Sequence, residues 1–166
     1  MNPRTVSAFG AVIFSGLFAG FLLTVLVIEL TLRGHDSAVY TQVRHVELEH
    51  LDQLATALLL PAIVAATVFA RTVFRRRSGR WTAAVAVVSL LVVLLISLSI
   101  SVPINTEQLG WSTVTPPVDW SAIRDRWQLA HTVRTAAAAL AFALLTMAVP
   151  RRGHERIEPK TRMNNR

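Results

Sequence analysis

Trp120, Arg124, Trp127, His131 and Arg134 recur at intervals of four, three, four and three, the spacing that brings side chains onto one face of an α-helix. An imidazole beside a guanidinium can take a proton and steady the anion left behind, and two indoles can wall a flat ring. The run Thr135–Val149 that follows carries no charge. If Gln128–Val149 crosses a bilayer, His131 and Arg134 lie one to two turns beneath its surface, where ionisable groups are costly and usually functional. A snorkelling arginine and a histidine bonded to a neighbouring helix would account for the same pair. The bracketing tryptophans, and Asn105 at the same level, argue instead for a pocket suited to a flat, weakly acidic organic molecule. Glu29 is the expected counter-ion of Arg134 or Arg126, with Asp52 second.

A second polar face lies on the next helix to be placed. His45, Glu49, Asp52 and Thr56 share one stripe, with Glu47, His50 and Leu54 beside it. Histidine and carboxylates so spaced could bind a divalent metal or relay protons. The plainer reading is a wet helix top whose acids pair with Arg33, Arg44, Arg124 and Arg126, and no metal site is expected. His45-Val-Glu-Leu-Glu-His50 imitates a zinc-protease signature, but histidines five apart diverge by about 140° around a helix and cannot share one ion. Glu47-Leu-Glu-His50 has the spacing used in di-iron bundles without the matching copy those sites require.

The elements that must hold these residues are membrane spans. At 166 residues and 52% hydrophobic content, the chain favours a single all-α domain, an integral membrane four-helix bundle. Spans are expected at about 6–30, 51–74, 81–104 and 128–149, followed by a basic tail at 151–166 with little order. Val6–Ile28 is uncharged and reaches roughly 35 Å as a helix, enough for a hydrocarbon core of about 30 Å. It is longer than a leader's apolar core and lacks a small-residue cleavage site, so a cleaved signal is not expected. Asp36 or Ser37 is placed to cap helix two, which opens polar and carries Pro61 mid-span, a residue expected to kink it. Pro103-Ile-Asn105 is expected to end helix three, and Asp119 to cap helix four. Gly16-Leu-Phe-Ala-Gly20 has GxxxG spacing, a weak signal for a homo-oligomer and a common one for packing within a bundle.

Charge fixes the expected orientation. Arg4, the loop Arg71, Arg75, Arg76, Arg77 and Arg80, and the tail Arg151–Arg166 hold most of the 17 basic residues, so both termini are expected on the cytoplasmic side of a cell membrane. Read this way, the net charge of +7 marks topology and contact with the lipid bilayer, and nucleic acid is not an expected partner. The chain has no cysteine, which excludes disulfides and thiolate ligands.

Pro103-x-Asn105 closing one span, followed by Arg126-Trp127-x-x-x-His131-x-x-Arg134 opening the next, resembles the anthrone oxygenase-like family of small four-helix membrane proteins, many of unknown function. The resemblance implies oxidation of an anthrone-type, polyketide-derived aromatic by dioxygen with no cofactor. An anthrone is an activated carbon acid whose anion reacts with dioxygen directly, so the protein must supply a base. On this basis His131 is the expected base, Arg134 and Asn105 steady the oxyanion, and Trp120 and Trp127 line the ring slot. Arg126, Glu29, His45 and Asp52 complete the expected substrate site. The rival reading is a non-enzymatic scaffold or small-ligand binding protein.

Overall fold

The computed structural model describes residues 3–74 and 79–149. The arginines at 75–77 and the basic tail at 151–166 lie outside the described residues. All the regular structure among the described residues is helical: α1 (Pro3–Thr31), α2 (Ser37–Phe74), α3 (Arg80–Ile96), α4 (Val102–Leu109) and α5 (Trp120–Ala148). A wide π-turn at Ser97–Ser101 joins α3 to α4, so the two form one rod and the bundle has four rods. Each is long and apolar enough to cross a membrane. α1 packs on α2 and α5, and the α3–α4 rod packs on the same two, which leaves α1 and α3 on one diagonal of the square.

The outward faces are built for lipid. Phe9, Leu17, Leu95, Leu98 and Met147 are all largely exposed, a pattern that water would penalise and a hydrocarbon solvent does not. Inside, alanines at 11, 62, 66, 86, 138 and 141 are fully buried with Phe18, Phe69, Leu90 and Leu145; such small side chains let helices approach closely. Gly16 serves the same end, since a Cβ there would lie 2.9 Å from the ring of Phe142, while Gly20 has no atom of the chain near its Cβ position. A second core at the other end groups Val25, Leu32, Tyr40, Ile104, Trp111, Ile123 and Trp127.

Several local expectations are met and others corrected. Asp36 caps α2 through Oδ1, which accepts from the Val39 amide at 2.9 Å. Asp119 stands at the start of α5 but makes no side-chain cap; its backbone carbonyl takes the Ala122 and Ile123 amides. Pro103-Ile-Asn105 does not end its helix, which runs to Leu109. The π-turn just upstream explains the difference: proline lacks an amide donor and crowds the preceding turn, and a widened turn absorbs both defects. That turn also aims Ser101 inward, where it is 1% exposed.

Candidate functional site

Between the two apolar cores lies a polar layer. Glu29, Arg44, Glu47, Asn105, Gln108, Gln128, His131 and Arg134 are all buried there. Buried charge is tolerable only when paired and fully hydrogen-bonded, and Arg44 of α2 meets that demand for most of the layer. Its Nη1 donates to Glu29 Oε1 of α1 at 3.0 Å and to Glu47 Oε2 at 2.8 Å. Its Nε donates to Gln108 Oε1 and its Nη2 to Asn105 Oδ1, both on α4 and both at 2.9 Å. Its guanidinium carbon also lies 4.3 Å from the ring centre of Trp127 on α5. One side chain thus ties all four rods together.

Arg44 entered the sequence reading only as a partner for surface acids. Of the stripe His45, Glu49, Asp52 and Thr56, Asp52 bonds to Asn105 and reaches the site together with Thr56, whereas Arg44, one residue round from His45, lies on the buried face. Glu49 and His50 are exposed, and His45 is half-buried with Nε2 donating to the Gln108 carbonyl at 3.1 Å. A usable signal was present. The inward positions of the apolar span, Ala66, Ala62, Leu59 and onward at steps of three and four, extend back through Leu48 to Arg44 and Tyr40.

The last rod behaves as its spacing predicts from Trp127 downward. Trp127, His131 and Arg134 are buried on one face, with His131 stacked on Trp127 at 4.7 Å between ring centres. Trp127 Nε1 donates to Asn105 Oδ1 at 2.6 Å. Trp120 stands higher, half-buried between Tyr40 and the Arg124 guanidinium, away from the polar layer's cavity. Arg126 faces outward beside Pro103 and Leu129. Glu29 pairs with Arg44 and accepts from Gln128 Nε2 at 3.0 Å. It is therefore the counter-ion of neither Arg134 nor Arg126, because Arg44 reaches it first. Gln128 in turn accepts from Arg33, whose other end meets Asp125.

Asn105 has little capacity to spare. Its amide nitrogen donates to both oxygens of Asp52, at 2.8 and 3.0 Å, while its oxygen accepts from Arg44 and Trp127. Arg134 donates through Nη1 to Ser101 Oγ at 2.6 Å. Ser101→Ala would leave that buried donor bare, and a stability loss of about 1–3 kcal/mol is expected from thermal unfolding in detergent.

Among the described residues, three buried side-chain polar atoms have no hydrogen-bond partner: Glu47 Oε1, His131 Nδ1 and Arg134 Nε. For a neutral imidazole the tautomer follows from the other nitrogen. His131 Nε2 lies 2.9 Å from the Leu22 carbonyl, which can only accept, so Nε2 carries the proton and the neutral ring keeps a lone pair on Nδ1. All three residues line a small cavity of about 30 Å³. A larger crevice of about 270 Å³ runs along α2 and the π-turn; Asp52, Asn105 and Arg134 belong to both spaces. Leu60, Leu98 and Val102 at its mouth are exposed on the apolar flank.

Residues 49–144, more than half of the chain, match the family model described as anthrone oxygenase. The chain belongs to the anthrone oxygenase family. The matched segment of this anthrone oxygenase family member holds Asp52, Ser101, Asn105, Trp127, His131 and Arg134, whereas Glu29, Arg44 and Glu47 precede it. Searches of curated proteins and of solved structures each found no match.

Proposed function

We propose that this protein is a cofactor-independent oxygenase of an apolar aromatic carbon acid of the anthrone type, with His131 as its base. The observation that carries this reading is the unpartnered Nδ1 of a buried imidazole whose tautomer is fixed by a backbone carbonyl. Proton abstraction from the activated methylene yields an electron-rich anion that combines with dioxygen; loss of water from the resulting hydroperoxide gives the quinone carbonyl. One dioxygen is consumed and one water released for each methylene converted. Arg134 neutralises the developing oxyanion. Asn105, its amide already engaged, positions Asp52, Arg44 and Trp127.

The rings occupy the crevice between α2 and the π-turn, entered from the lipid side. The cavity beside His131 is far too small for a ring, so the Arg134 side chain, which lines both spaces, swings about its Ser101 contact to admit the reacting carbon. Filling the crevice tests this placement. Ala55, half-buried, lines both spaces, and Ala55→Phe is expected to cut quinone formation about tenfold or more, chiefly through KM, with little change in folding. A variant with unchanged kinetics would move the substrate elsewhere.

Oxygen-electrode measurements on the purified protein with an anthrone test the whole reading. Uptake matched by equimolar quinone is expected, and no turnover of any phenolic carbon acid would contradict it. The smallness of the cavity beside His131 favours a second reading, a scaffold or ligand-binding protein whose polar layer only locks the bundle. Co-purification of a stoichiometric partner without turnover would select it. The arginine distribution supports a multi-pass cell-membrane protein with both termini in the cytoplasm, which cysteine labelling from either side would check.

A further inference from the structure

The small cavity beside His131 presents a definite hydrogen-bonding demand. Glu47, His131 and Arg134 are each more than nine-tenths buried, each has one atom without a hydrogen-bond partner, and all three line the same space of about 30 Å³. Arg134 Nε–H can only donate. Glu47 Oε1, on a carboxylate whose other oxygen takes the Arg44 proton, can accept. His131 Nδ1 accepts because Nε2 donates to Leu22. A molecule that satisfies all three must accept once and donate twice. Dioxygen cannot donate, an alcohol donates once, and ammonium cannot accept. Water meets the demand, and the volume suits it, since one water needs at least about 10–15 Å³ of such space and two to four polar partners.

We propose that Glu47, His131 and Arg134 hold one water molecule in this cavity, and that the water carries protons from His131 to Glu47. The second half rests on the oxygenase reading; the first does not. After His131 has taken the substrate proton and the anion has drawn back into the crevice, letting Arg134 and the water return, Nδ1–H of the imidazolium donates to the water oxygen, and the water passes one of its own hydrogens to Glu47 Oε1. The imidazole is again neutral, the water is intact and Glu47 is a carboxylic acid. Arg134 Nε–H holds the water oxygen in line. Glu47 sits on the polar upper section of α2, and it holds the proton until the same path returns it to the peroxide anion formed with dioxygen, which thereby becomes the hydroperoxide. Glu47 is thereby a proton-relay residue, acting on substrate through His131.

A structure of the wild-type protein at a resolution that shows ordered water tests the site. Density within hydrogen-bond distance of Glu47 Oε1, His131 Nδ1 and Arg134 Nε is expected, and a dry cavity overturns the proposal. The relay is tested by Glu47→Gln, which turns an amide donor toward the water. Anthrone-dependent oxygen uptake should fall by roughly tenfold, with an enlarged solvent deuterium isotope effect. A purely structural role would lower thermal stability but leave that isotope effect at its wild-type value, which would overturn the relay. The density test uses the unmodified chain and stands even if the variant does not fold. Density at the site in a protein that oxidises no carbon acid would uphold the water site and overturn the relay together with the oxygenase reading.

Discussion

His131→Ala is expected to lower anthrone oxidation on the order of 10²–10⁴-fold, the usual loss when a positioned general base is removed. The effect belongs in kcat more than in KM, because the rings are held in the crevice by other residues and the imidazole meets only the reacting carbon. Alanine also strips the Leu22 carbonyl of its donor and Trp127 of its stacked neighbour. Thermal unfolding must therefore be recorded alongside, and His131→Gln, which can still donate to Leu22, separates the two effects. Glutamine is expected to keep most of the stability while remaining as inactive as alanine. A glutamine variant at wild-type rate would remove the base from His131.

The second large effect concerns stability. Arg44→Met is expected to cost about 3–5 kcal/mol, enough to prevent accumulation of the folded protein, because it leaves the Glu29 and Glu47 carboxylates buried without their cation. Arg44 is 2% exposed and Glu29 0%, so solvent screens little of this. Lysine would not repair the loss. Its single ammonium cannot meet Glu29, Glu47, Gln108 and Asn105 at once, as the planar fork of arginine does. If the cost arises from stranded charge, the triple variant Arg44→Met, Glu29→Gln, Glu47→Gln recovers much of it. Expression level and detergent unfolding temperature provide the measure. A single variant as stable as wild type would mean that other contacts hold the rods in register.

The contrast between these two residues explains what could be read from the chain. Trp127, His131 and Arg134 were legible because they begin an uncharged run: the 3.6-residue period there has one polar stripe on an apolar background, and polar side chains must turn from lipid. The four spans and their all-α class follow from the same physics. At the top of α2 that contrast vanishes. From Ser37 to Gln53 polar residues occupy every face, so Arg44 and His45, about 100° apart on the helix, could be told apart only by projecting the inner face of the span backward. Glu29 is expected as the counter-ion of Arg134 or Arg126 but pairs with Arg44, since pairing across rods depends on helix rotation, which sequence spacing does not specify. The continuation of the α3–α4 rod past Pro103 was hidden for a related reason. A proline predicts a break unless a π-turn precedes it, and Ser97–Ser101 carries no local signature of one.

Proton abstraction can be separated from everything that follows it. Mixing the protein with an anthrone under strict exclusion of dioxygen, and following the absorbance of the substrate anion, isolates the step assigned to the buried imidazole. The wild-type protein is predicted to accumulate bound anion in amounts approaching one per chain, and to discharge it as quinone when dioxygen is admitted, whereas His131→Gln forms none. Anion formation that is equal in the two proteins would contradict the assignment of His131 as the base.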